Sequence, residues 1–170
     1  SYALIGAFFA YAVVFGIDSA FGYRDHYVNK DLIPTLLFIA ISVLGVSIGT
    51  GYLMAKQKAK KAGQSIWNPT SKALFKAMSV PLVTGGLLAV ILIYKENYSM
   101  IASILLICYG LALSAASSFS FRELRWLGVL DIILGLLALC FPGYGIYFWA
   151  VGFGLLHIIY GLIVHQRYEK

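Results

Sequence analysis

Leu124–Val164 reads LRWLGVLDIILGLLALCFPGYGIYFWAVGFGLLHIIYGLIV, and this stretch decides the fold. Two apolar runs, 124–141 and 146–164, flank Pro142-Gly143-Tyr144-Gly145. Each run is long enough as a helix to cross most of a hydrocarbon core of about 30 Å at 1.5 Å per residue. Proline followed by glycine is a turn signal, and so short a connection leaves the two helices as antiparallel neighbours. The runs also repeat each other. Gly128-Val129-Leu130-Asp131-Ile132-Ile133-Leu134-Gly135-Leu136 aligns with Gly154-Leu155-Leu156-His157-Ile158-Ile159-Tyr160-Gly161-Leu162, identical at six of nine positions. In both copies the glycines stand three residues before and four after a polar residue, so all three share one helical face. Gly128, Gly135, Gly154 and Gly161 are therefore the expected helix-packing positions, with helices five and six approaching each other along them.

Outward from this hairpin the same pattern fills the chain. Apolar runs lie near 2–21, 32–55, 73–94 and 99–117 as well, which makes six. With 61% hydrophobic and 12% charged residues and a mean hydropathy of +0.84, the chain has too little polar surface to cover a water-soluble globule of 170 residues. The expected fold class is all-α, a polytopic membrane protein built as a six-transmembrane-helix bundle with a tight C-terminal hairpin. Residues 1–170 read as a single transmembrane domain with a basic cytoplasmic loop at 56–72. The first run begins at Ser1 rather than at an initiator Met. It lacks a basic leader and a small-residue cleavage site, so it is expected to stay in the membrane.

Local signals place several helix starts. Asp31 precedes Leu32, Asn68 precedes Pro69, and Ser120-Phe121-Arg122-Glu123 has the form of a capping box. Pro81, ahead of Thr84-Gly85-Gly86, is expected to kink helix three.

Basic residues set the orientation, because Lys and Arg collect on the cytoplasmic side. Lys56, Lys58, Lys60, Lys61, Lys72, Lys76, Arg122, Arg125, Arg167 and Lys170 fall on one side, against Arg24, Lys30 and Lys95 on the other. Both termini are thus expected on the cytoplasmic side. The net charge of +6 needs no nucleic acid to explain it. Lys56, Lys58, Lys60 and Lys61 are candidate lipid-headgroup ligands. Tyr23, Tyr27, Tyr94, Tyr98, Tyr144 and Tyr147 near one boundary, with Trp67, Trp126 and Tyr168 near the other, form an interfacial belt.

Chemistry-bearing motifs are sparse. There is no G-x-S-x-G, H-E-x-x-H, phosphate-binding glycine loop or C-x-x-C, and no cofactor or metal is implied. Cys108 and Cys140 fall at different depths without further ligands and read as buried apolar thiols. Asp131 and His157 stand out. Each is thirteen residues from Tyr144, which places them at similar depth in an antiparallel hairpin. A charged group there costs about 2.5–3.5 kcal/mol on insertion scales and usually finds a partner. Asp131, His157, Tyr160 and Tyr109 form the candidate binding cluster, with Ser103 and Ser114 the other polar residues of helix four. Asp18, near the outer end of helix one, is expected to reach the interface or Arg24.

Ile66-Trp67-Asn68-Pro69-Thr70, Val80-Pro81-Leu82-Val83-Thr84-Gly85-Gly86, Tyr109-Gly110-Leu111-Ala112-Leu113, Pro142-Gly143-Tyr144-Gly145 and Gly152-Phe153-Gly154-Leu155-Leu156-His157-Ile158-Ile159-Tyr160-Gly161 together resemble a family of uncharacterised bacterial six-helix inner-membrane proteins. Its members are often encoded beside a small winged-helix transcriptional regulator. The resemblance implies the fold and membrane, and no activity. A looser similarity, in the Gly/Leu pattern ending in Phe-Pro before a last helix, is to acid-resistance membrane proteins of the HdeD type. Three functional readings follow: a non-catalytic regulatory partner or helical scaffold, a small proton-coupled transporter using Asp131 and His157, and an intramembrane lipid-binding protein or enzyme. The expected partners are membrane lipid and a protein partner or second copy docking on small-residue faces.

Overall fold

The computed structural model describes residues 2–15, 33–61, 63, 65–120 and 122–168. All regular structure among them is helical. The elements are α1 (Tyr2–Phe15), α2 (Ile33–Lys61), α3 (Pro69–Tyr94), α4 (Ile101–Ala116) and α5 (Glu123–Cys140), then α6 (Gly145–Trp149), a π-helical stretch (Ala150–Leu156) and α7 (His157–Tyr168). Short 3-10 turns, Tyr98–Met100 and Ser117–Phe119, bracket α4. Asp18, Arg24, Lys30 and Asp31, with the roles expected of them, lie outside the described residues.

Four helical segments are long and apolar enough to cross a membrane: Pro34–Gln57, Pro69–Tyr94, Tyr98–Phe119 and Gly145–Arg167. α1 contributes a shorter apolar stretch, Leu4–Val13. α5 has 18 residues and carries Glu123, Arg125 and Asp131, which sets it apart from those four.

The local chemistry of the ends explains the boundaries. Asn68 caps α3 as expected, its Oδ1 accepting from the Ser71 N–H at 2.7 Å while Pro69 occupies the first turn. α3 continues without interruption through Pro81 to Tyr94. It then ends in a Schellman motif: the Glu96 N–H donates to the Ile93 carbonyl and the Asn97 N–H to the Leu92 carbonyl. The left-handed position that this motif requires is held by Glu96, φ 57°, where glycine is the usual occupant. Between α5 and α6 the Tyr144 N–H donates to the Phe141 carbonyl, with Pro142 second in the turn and Gly143 third at φ 92°. That is the residue order of a type II turn, and it closes the hairpin as the sequence predicts.

Two expectations are corrected. The Ser120 capping box does not form: α5 starts at Glu123, Arg122 rather than Ser120 holds the position before it, and no side chain caps the helix. Glu123 instead pairs with Arg167 at the far end of α7, tying the two ends of the antiparallel hairpin together. In addition, α2 does not stop at residue 55. It runs on to Lys61, so Lys56, Lys58, Lys60 and Lys61 are helical, at the end where cations complement the helix dipole.

α4 is the centre of the molecule, packing most extensively on α5 and next on α3. Its buried residues are Ser103, Leu106, Cys108, Gly110, Ala112, Leu113 and Ala116. The contact with α5 is made backbone to backbone. A Cβ placed on Gly128 would lie 2.6 Å from the Gly110 carbonyl oxygen, and one placed on Gly110 would lie 2.5 Å from that of Gly128. Two turns away, Gly135 faces Ile107 and the Ser103 carbonyl.

The repeated glycines therefore do not pack helices five and six against each other. Gly128 and Gly135 serve α4, Gly154 receives Leu4 of α1, and Gly161 has nothing within 4 Å. The second copy of the repeat crosses from the π stretch into α7. The wider π turn rotates Gly161 away from the direction that Gly154 faces.

Candidate functional site

The polar cluster lies where α4, α5 and the π stretch meet. His157 follows directly on the π stretch, and its Nδ1 is 2.8 Å from the carbonyl oxygen of Gly152, five residues back. A carbonyl oxygen only accepts, so Nδ1 carries the hydrogen. In the neutral ring Nε2 is then the acceptor, and the Tyr109 hydroxyl, 3.0 Å away on α4, donates to it. Both ring nitrogens are thus committed. Phe153 completes the packing: its ring lies 5.9 Å from the imidazole at an interplanar angle of 19°, and 4.8 Å from the Tyr109 ring. Trp149, four residues before Phe153, continues the aromatic row at 5.5 Å.

Asp131 enters from α5. It has no solvent exposure, and neither carboxylate oxygen has a hydrogen-bond partner. A Cβ on Gly152 would come within 3.1 Å of its Oδ1, so the carboxyl group rests against the glycine whose carbonyl holds His157. Asp131 and His157, at similar depth by the sequence count, make no hydrogen bond to each other. Equal distance from the turn sets depth but not direction around the helix axis. The π stretch, absent from α5, turns the imidazole toward Gly152 and Tyr109.

Asp131 and Tyr160 both lie within electrostatic range of Tyr109, so the four candidate residues occupy one neighbourhood. Ser103 is fully buried, and the hydroxyls of Ser103 and Ser114 also lack partners. Gly152 is the participant that sequence reasoning missed. Its carbonyl is a ligand-like acceptor, and no side chain advertises it. The Gly152-Phe153-Gly154 triplet was the available signal.

The other candidates separate from this cluster. Cys108 is buried under Gly85, whose Cβ would meet the Cys108 Cβ at 2.6 Å, whereas Cys140 is exposed rather than buried. No group of three or more metal-ligating side chains occurs among the described residues. Lys56 and Lys60 are exposed on the last turns of α2. An apolar groove of about 520 Å³ lies at the α5–α6 end, lined by Leu134, Phe141, Tyr144, Tyr147, Phe148 and Val151 and by none of the four cluster residues.

What the arrangement can do chemically is limited and definite. The Tyr109–His157–Gly152 chain can hold or pass a proton at Nε2, and Asp131 is a second proton acceptor across Gly152 from it. No family model, no curated protein and no solved structure matches this chain.

Proposed function

We propose that the protein is a six-span membrane protein of the bacterial inner membrane, with both ends of this chain on the cytoplasmic side, acting as a non-catalytic scaffold or regulatory partner. The alternation of basic residues supports the orientation. The apolar span of α2, none of which is buried within the molecule, supports a lipid environment, since soluble proteins rarely leave so large an apolar face uncovered. α1 and α5 supply the remaining two spans.

The observation that carries the scaffold reading is the closed interior. α4 and α5 touch through Gly110 and Gly128, and Asp131 beside them has no solvent exposure, which leaves a solute no route to the carboxyl group. The resemblance to proteins encoded beside a transcriptional regulator supports the regulatory form of this role.

One observation favours a second reading, a proton-coupled permease. A carboxyl group without a partner is expensive in an apolar interior, and Asp131 keeps one within reach of the Tyr109–His157 chain. The double variant Asp131→Asn, His157→Gln separates the two. A scaffold keeps its thermal stability to within about 1–2 kcal/mol, since amides replace the polar groups without carrying a proton. Proteoliposomes loaded with a pH-sensitive dye then show no change in proton leak. Wild-type flux that disappears in the double variant would establish the permease instead.

A further inference from the structure

α3 presents one uninterrupted exposed stripe, Lys72, Lys76, Val80, Val83, Leu87 and Val90, at spacings of three and four residues. Such spacing keeps all six on one helical face. The stripe changes character once: two cations, then apolar side chains over about 15 Å of helix at 1.5 Å per residue. Trp67, 59% exposed, packs on Phe75 beside the cationic end, with ring centroids 5.5 Å apart and planes tilted by 36°.

The Ser117–Phe119 turn packs on both α3 and α5, which brings the start of α5, with exposed Arg122, Arg125 and Trp126, to the same end of the bundle. The acidic residue there, Glu123, is taken by Arg167. Among the described residues, no carboxylate pairs with Lys72, Lys76, Arg122 or Arg125.

We infer that this end of α3 is a binding site for one anionic phospholipid, its phosphate held between Lys72 and Lys76 with Arg122 and Arg125 nearby, and its acyl chains lying along Val80, Val83, Leu87 and Val90. The partner is a lipid rather than a soluble anion because the apolar half of the stripe continues directly from the cations. A phosphate alone would leave that half unused. Trp67 and Trp126 stand where indole rings favour the headgroup level. This site is distinct from the Lys56–Lys61 end of α2, whose helix packs on α1. The inference rests on the membrane-spanning reading above.

The test uses the full chain in nanodiscs of phosphatidylcholine alone or with a third of phosphatidylglycerol. Co-purified phosphatidylglycerol is counted by native mass spectrometry, and the thermal midpoint is measured in parallel. The wild type should retain phosphatidylglycerol selectively and melt higher in its presence. Lys72→Gln with Lys76→Gln should reduce retention by roughly tenfold, following the weakening expected on losing two interfacial cations. Lys72→Arg with Lys76→Arg should restore it, and Lys95→Gln, at the opposite end of α3, should leave it unchanged. Equal retention by the Gln variant, or equal loss in Lys95→Gln, would overturn the site. A rise in midpoint on adding inorganic phosphate to phosphatidylcholine discs would overturn the lipid as its ligand. Failure to enter discs of either composition would sink the membrane reading itself, whereas entry without phosphatidylglycerol preference would sink the site alone.

Discussion

Gly110 and Gly161 look alike in the sequence and have opposite standing in the structure. At Gly110 a methyl group would meet the Gly128 carbonyl and the Ile132 N–H, both backbone atoms that cannot step aside, while at Gly161 it would meet nothing. Gly110→Ala should therefore force α4 and α5 apart and cost about 1–3 kcal/mol or more, as overpacking does. Gly161→Ala should be neutral or slightly stabilising, as reduced backbone freedom at an open helical position allows. Thermal denaturation in detergent compares the two, and equal losses would show that the α4–α5 contact is not the tight one. Gly152→Ala tests the polar cluster in the same way. Its new methyl would press on the Leu106 side chain and on Asp131 Oδ1, and a loss of about 1–3 kcal/mol is expected. Tyr109→Phe removes the donor to His157 Nε2 while keeping the ring, and should cost about 0.5–1.5 kcal/mol, the net value of one hydrogen bond. A larger loss would mean that the hydroxyl also serves Asp131.

At the scale of elements, the helix ends were the most legible features. Asn68-Pro69 and Pro142-Gly143 carry their geometry in their own side chains, so the sequence signal and the structure coincide. Ser120 to Glu123 has the right letters for a capping box, but the preceding 3-10 turn and the demand of Arg167 for Glu123 take precedence. The repeat in the last two runs makes one packing face only where α-helical spacing holds throughout. A π stretch has no reliable letter code, and its insertion at Ala150–Leu156 sends the two copies to different partners. For the same reason the four polar residues could be gathered from the sequence while their hydrogen bonds could not. The Schellman end of α3 offers a direct test at this scale. Glu96 pays the left-handed penalty that glycine avoids, so Glu96→Gly should raise stability by about 0.5–1 kcal/mol. An unchanged or lower melting temperature would mean that Glu96 contributes through its side chain.

For the whole molecule, the proposed topology makes the Lys56–Lys72 connection cytoplasmic and the connection at Asn97 external. A cysteine at Lys60 should be shielded from a membrane-impermeant thiol reagent in intact cells, and one at Asn97 should label, in a background where Cys108 and Cys140 are replaced by Ala. The reverse pattern would invert the orientation. Labelling at both sites would break the six-span count. Helical character, apolar length and the basic asymmetry were all open to reading in the sequence, because each is a property of many residues together. The central place of α4 was not. It depends on which small faces meet, and Gly110, Gly128 and Gly135 reveal that only once their neighbours are known.

The docking of α1 has a consequence for how the protein is made. Leu4 seats on Gly154, and Gly6 lies beside Trp149, so α1 finds these partners in a segment synthesised long after it. α4, by contrast, contacts its immediate neighbours in the chain, α3 and α5, and can assemble as they emerge. Until that segment is made, α1 lacks these contacts and has α2 beside it. Nascent chains halted before Gly145 would carry an α1 without them, the kind of incomplete product on which membrane quality control acts.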